Sequence, residues 1–283
     1  MKTLYRNSDK VVEYKPSLSL RFLYNTILGR LVLKLFTSKF FANLGAKYMN
    51  SSLSKKRADK FVKEYKINLD LYEENTYSCY NDIFKRKFKN IRFSNNPKDF
   101  ISPCESNLLV SKINKDSIFK IKNSVYNLKD IINDDVINNY IDGYALIFRL
   151  CVDNYHHYIY PDKGYRDDYK EIDGILHTVQ PIAYERYNVY HKNYRTWTTL
   201  HTDNFGDVIM VEVGALLIGK VVNNNQKVFI KGEEKGHFEF GGSTIILFVK
   251  GDNVTIDEDI LNNSKNGCET FVHIGETIGH KNN

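Results

Sequence analysis

The sequence predicts an α+β fold, with amphipathic helices at the N-terminal end followed by a predominantly antiparallel β domain. Helically spaced apolar residues are confined to the early part of the chain. From about residue 100 the texture changes to short β-branched and aromatic runs separated by Asn, Asp and Gly. No internal repeat or long low-complexity linker intervenes, and 283 residues with 42% hydrophobic content suffice for one large core with a helical appendage. The natural division is a membrane-associating helical region at 1–70 and a β-rich domain at 71–283.

After Pro16, apolar residues recur at Leu20, Leu23, Ile27, Leu31 and Leu35, with Leu28, Val32 and Phe36 beside them. Arg21, Arg30, Lys34 and Lys39 punctuate this stripe, and no uncharged stretch reaches the roughly 18 residues of a spanning helix. The stripe therefore suits a helix lying on a bilayer, or one packed on the protein's own core. Its charge favours the bilayer: the formal net charge is +6, and from Lys15 to Arg57 there are nine basic residues and no acidic one. Anionic headgroups match such a face. Nucleic acid matches it less well, because the apolar stripe between the charges suits lipid.

The pattern breaks around Ser51–Ser54, and Lys55 to Tyr65 reads as a second short helix before the segment Tyr80 to Phe100. Strands are expected at Leu108–Ile113, Ala145–Val152, Val208–Val213, Leu216–Val222, Val228–Lys231 and Thr244–Val249, with turns at Asn223–Asn225 and Gly251–Asp252. The four cysteines, Cys79, Cys104, Cys151 and Cys268, share no paired short spacing, and no cleavable signal peptide opens the chain. These features favour a reducing compartment and support neither a disulfide framework nor a metal site.

The sharpest local feature is Lys231-Gly-Glu-Glu-Lys-Gly-His-Phe-Glu-Phe-Gly-Gly-Ser-Thr244, followed by the strand Ile245–Val249. A Gly-Gly pair feeding Ser-Thr places a hydroxyl in a permissive turn where strain can be stored, although such residues are also ordinary hairpin material. Four further segments accompany it in order along the chain. They are Tyr80-Asn-Asp-Ile-Phe-Lys-Arg-Lys-Phe-Lys89, Asp153-Asn-Tyr-His-His-Tyr158 running on to Pro161 and Gly164, Leu176-His-Thr-Val-Gln-Pro181, and the stretch Asn204 to Lys220.

Together these five segments, from about residue 60 to residue 250, resemble the phosphatidylserine decarboxylase family. The family's forms are FFxRxLK, DYHRxHxPxxG, an SVNP-type segment, GxxxxVxVGAxxVGxI and the self-processing site KGxExGxFxFGST. The resemblance implies a zymogen that cuts itself between Gly242 and Ser243 into a β chain, residues 1–242, and an α chain, residues 243–283. Ser243 would attack the Gly242 carbonyl, and an acyl shift and elimination would turn residue 243 into a covalent pyruvoyl cofactor. That ketone would form a Schiff base with phosphatidylserine and act as electron sink while carbon dioxide leaves, giving phosphatidylethanolamine.

The same resemblance assigns His156, the His of the DYHR-like element, to proton delivery. Glu105, in Ser102-Pro-Cys-Glu-Ser106, stands where the family's SPxDG element has the aspartate taken as base for self-cleavage, one methylene displaced. Supporting candidates are Asp153 (orienting His156 or satisfying backbone donors), His177 and His237. His157 stands where the family usually has Arg, and Ile159 where many members have a second His. Implied partners are phosphatidylserine, an anionic membrane surface, the protein's own second chain and a homodimer. The implied location is peripheral, on the cytoplasmic face of a bacterial-type membrane. Two other readings stay open: a decarboxylase-like protein that never matures and serves as a lipid-binding or partner-binding module, and a serine hydrolase built on Ser243 and His156.

Overall fold

The computed structural model describes residues 1–115, 118–121, 124–184, 187–215, 220–239 and 242–282. Its first elements are strands. Lys2–Tyr5 and Val11–Glu13 pair antiparallel, where the sequence places a helical region. The cause is non-local: Lys2–Tyr5 lies parallel to Glu269–Val272, a partner that local periodicity cannot reveal.

The helical stripe is realised as three helices, α1 (Leu18–Asn25), α2 (Ile27–Phe36) and α3 (Lys39–Met49), rather than one. Ser17 caps α1 by accepting from Leu20 N–H at 3.3 Å. Thr26 makes the first break: its Oγ1 accepts from Gly29 N–H and donates to the Phe22 carbonyl, ending one helix and capping the next. The corner is so tight that a Cβ on Gly29 would stand 1.9 Å from the Phe22 oxygen. Tyr24 and Leu33 enter the core, whereas Leu18, Ile27, Leu28, Leu31, Leu35, Phe40 and Leu44 are each between 55% and 83% exposed. Most of the stripe is thus not used by the protein's own core. Arg21 and Lys34 are exposed as well, and Lys39 opens α3 with its side chain outside the described residues. Helices α4 (Lys55–Glu64) and α5 (Tyr80–Phe84) follow. Among the described residues no helix is long and apolar enough to cross a membrane.

The α+β class holds, because a large, almost wholly antiparallel sheet organises the rest. In spatial order its strands are Val228–Phe229, Gly164–Arg166, Arg195–Thr202, Gly206–Val213, Ser243–Val249, Tyr144–Leu150, Ser106–Lys112, Glu269–Val272, Lys2–Tyr5 and Val11–Glu13, with Lys170–Ile172 beside Arg195–Thr202. Five of the six expected strands are present near their expected bounds. Of the sixth, residues 216–219 lie outside the described residues, and Lys220–Asn223 is a strand.

Alternation along each strand sends side chains to two cores. Ile246, Phe248, Ile147 and Val211 face the side covered by Tyr24, Leu33, Val179 and Tyr190. Ile245, Leu247, Phe148, Leu150 and Met210 face the opposite side, against Tyr158, Tyr160 and Phe238. That second side is covered in part by a small sheet of Lys220–Asn223, Glu234–Glu239 and His157–Ile159. Ser243–Val249, in the middle of the large sheet, is buried along its whole length.

Candidate active site

Ser243 opens its strand directly opposite Leu150. Sharing the parity of Ile245, its side chain turns toward the core beneath the small sheet. It is fully buried, and its Oγ has no hydrogen-bond partner among the described residues. Leaving a buried hydroxyl unsatisfied costs about 1–3 kcal/mol, and such groups call for an explanation such as a chemical role. Gly242 carries no left-handed backbone and Ser243 opens a strand; the rest of the expected turn, Phe240 and Gly241, lies outside the described residues. A Cβ built on Gly242 would stand 3.4 Å from the Leu150 carbonyl and 3.7 Å from Val179 Cγ2, which brings the 176–181 segment to the Gly242–Ser243 bond.

Leu150 leads into a turn, residues 151–156, on which three other segments converge. Phe84 of α5 lies against the His156 ring at 4.1 Å. Arg86 donates to the Asp153 and Asn154 carbonyls at 2.8 and 3.2 Å. Glu105 Oε1 accepts from Asn154 Nδ2 at 3.3 Å and from Tyr155 N–H at 3.2 Å. Phe238 N–H donates to the His156 carbonyl at 3.0 Å. His156 is fully buried, and its Nδ1 lies 2.8 Å from the Asn154 carbonyl. A carbonyl can only accept, so Nδ1 carries the hydrogen.

Glu105 does not reach Ser243. With Ser243 opposite Leu150 and Asn107 opposite Arg149, two strand spacings of about 10 Å separate their backbones. Glu105 instead braces the turn that carries His156. Its other oxygen lies 3.6 Å from His273 Nδ1, and this contact raises the His273 pKa. Burial raises Asp153, with the Glu105 charge adding to it. Glu105 and His273 also line a cavity of about 720 Å³, along with Tyr5, Phe271, Lys89 and Arg92; Ser243 does not.

His177 and His237 lie apart from this turn. His177 is buried against Tyr187, 4.1 Å between rings, and the Tyr24 hydroxyl sits 3.3 Å from its Nδ1 while accepting from Thr178 N–H. Burial, helped by the Lys192 charge, lowers the His177 pKa to about 4. His237 stacks on His157 on the outer side of the small sheet. Three groups near the site escape sequence reasoning. Arg86 had a signal, since it is the Arg of the FFxRxLK-like run, but Lys85 and Lys87 on either side gave no reason to single it out. The fully buried pairs Lys235–Glu212 and Arg149–Glu269 had none, because their partners are brought together only by the sheet.

Residues 80–280 match a sequence model of the family described as phosphatidylserine decarboxylase. Phosphatidylserine decarboxylase proenzyme 2 of Clostridium acetobutylicum is 45% identical over 287 residues, covering 99% of each chain. The phosphatidylserine decarboxylase proenzyme of Clostridium botulinum (strain Kyoto) is 38% identical over 275 residues, 93% of this chain and 92% of the relative. That of Clostridium perfringens (strain SM101) is 36% identical over 293 residues, 98% and 99% respectively.

Proposed function

Because the chain belongs to the phosphatidylserine decarboxylase family and is an enzyme that removes carbon dioxide from phosphatidylserine, we propose that it works through a pyruvoyl group made from its own Ser243. The observation that carries this reading is the fully buried Ser243 hydroxyl, unpartnered and next to Gly242. Oγ adds to the Gly242 carbonyl carbon, the amide bond gives way to an ester, and the released nitrogen takes up a proton. Loss of the Ser243 Cα proton then expels the Gly242 carboxylate. Water replaces the nitrogen, which departs as ammonia. The residues fit the group: Ser243 has the unbranched β-hydroxyl from which it is made, and Gly242 adds no bulk where Leu150 and Val179 close in.

A pyruvoyl group held at position 243 would supply an electron sink for the substrate's amine-bearing carbon when carbon dioxide leaves. His156 supplies a proton to the carbon that lost carbon dioxide. With Nδ1–H given to the Asn154 carbonyl, proton exchange falls to Nε2. Glu105 and Arg86 hold the turn that positions this ring, Glu105 through Asn154 and Tyr155, and Arg86 through the Asp153 and Asn154 carbonyls. The exposed apolar residues of α1 to α3, with Arg21 and Lys34 among them, hold the enzyme on the cytoplasmic face of an anionic membrane, so that the lipid need not leave it. The working assembly is a homodimer of cleaved chains.

A second reading, a fold that never matures and serves lipid or partner binding, is favoured by one observation: Glu105 is bonded to Asn154 and Tyr155 instead of Ser243. Denaturing gels with intact-mass spectrometry separate the two readings. The first predicts two pieces, the smaller spanning 243–283 and lighter by one ammonia than a Ser-started peptide, and a single chain from Ser243→Ala. An uncleaved wild-type chain that still binds vesicles selects the second.

A further inference from the structure

Strand Glu234–Glu239 alternates between inward and outward side chains except at one place. Lys235 and Gly236 are both buried, and the register against His157–Ile159 slips between Glu234 and Gly236. A β-bulge of this kind re-aims the side chains on one side of it. Here it turns Lys235 inward onto Glu212 and brings Glu234 to the outer side, beside His237. His237 lies directly across from His157, and the two rings stack 4.9 Å apart. Two imidazoles and a carboxylate thus meet with their ligand atoms all within 4.8 Å of one another.

We propose that His157, Glu234 and His237 bind a divalent transition-metal cation, zinc foremost, as a three-ligand site whose remaining position is taken by water. Two His and one Glu form a donor set zinc uses readily, and ligand atoms at tetrahedral zinc stand about 3.3 Å apart. His157 Nδ1 and Glu234 Oε1 are 2.9 Å apart, a few tenths of an ångström from that spacing. On the far side of the same ring, Nε2 stands 2.9 Å from the Lys85 carbonyl. Giving its hydrogen to that carbonyl fixes the tautomer that offers the Nδ1 lone pair to a metal, the outer support typical of ligating histidines. Lys87 occupies the other Glu234 oxygen at 3.2 Å, leaving Oε1 as a single ligand atom. Glu239 lies 3.9 Å from His237 Nε2. The side chains of His237 and Glu234 are 20% and 24% exposed, so an ion can arrive with its water. The adjoining cavity, which His157 also lines, carries Glu73, Glu74 and Asp82 against Lys85, Arg86 and Lys87, so its charges balance and the donor set alone selects the ion.

In the metal-free chain Nδ1 and Oε1 are in hydrogen-bond contact, and the incoming ion takes the place of that contact. Only Glu234 and His237, three positions apart, share a short spacing; the third ligand was hidden because His157 lies 77 positions before Glu234.

The test is a Co²⁺ titration of the chelator-treated full-length protein, read by visible absorption and repeated in Ser243→Ala so that it does not depend on cleavage. One Co²⁺ per chain, displaced by Zn²⁺, is expected. Binding should be lost in His237→Gln and in His157→Arg, which keeps a cation opposite Glu234, while circular dichroism stays that of the wild type. A wild type that takes up no Co²⁺, or folded variants that bind as it does, overturns the proposal. If the variants unfold, X-ray absorption of the zinc-loaded wild type decides: two imidazoles in the coordination shell support it, and a shell without histidine overturns it.

Discussion

His177 shows how one buried ring ties stability to pH. Its pKa is lowered from 6.5 to about 4, so below pH 6.5 the unfolded chain takes up a proton that the folded chain refuses. The contribution is intact above pH 6.5 and is lost as pH falls through 4, by about 3 kcal/mol in all. Urea midpoints taken across that window should fall less steeply in His177→Gln than in the wild type. At the neighbouring turn, His156→Ala is expected to lower decarboxylation by roughly 10²- to 10⁴-fold while cleavage still yields two pieces, since the Ser243 hydroxyl has no hydrogen bond to that ring. Steady-state assays beside denaturing gels check this. Ser243 and His156 could be picked out as candidates because each lies in a compact, distinctive run. The contacts of Glu105 could not be foreseen, because a carboxylate that accepts from the backbone 50 positions away looks identical in sequence to one aimed at a nucleophile.

At the scale of elements, α1 joins the exposed apolar surface to the cleavage point through few links. Tyr24 bonds Thr178, and the next residue, Val179, lies beside Gly242. The outer residues of α2 make no comparable commitment to the core. Leu31→Glu with Leu35→Glu should therefore leave the melting temperature near that of the wild type and reduce sedimentation with phosphatidylserine vesicles by roughly tenfold or more. Unchanged binding would remove α2 from the membrane-facing surface. Helical spacing revealed the stripe, but the stops at Thr26 and Thr37 were hidden because threonine fits both a helix interior and a cap. The strands Lys2–Tyr5 and Val11–Glu13 were hidden for a stronger reason: they are strands only because Glu269–Val272 is there to pair with.

Across the whole molecule, the two sides of the Gly242–Ser243 bond are bound together at several points. Arg149 and Glu269, each with a side chain 3% exposed, form an ion pair between a strand before the bond and one after it. Arg6 meets Asp257, Asp259 and Glu276. Breaking the inner pair with Arg149→Met leaves a buried carboxylate unpaired and should cost about 3–5 kcal/mol in denaturant unfolding, against far less for an exposed pair such as Lys163–Asp203. The central position of Ser243–Val249, between Gly206–Val213 and Tyr144–Leu150, has a further consequence. Before cleavage, unfolding is a unimolecular event and its midpoint is independent of protein concentration. After cleavage, losing the middle strand means releasing a separate polypeptide, so unfolding becomes a dissociation and the midpoint rises with concentration. An enzyme cut at this bond would have to find its severed strand to refold, and its working lifetime would be governed by how slowly it comes apart.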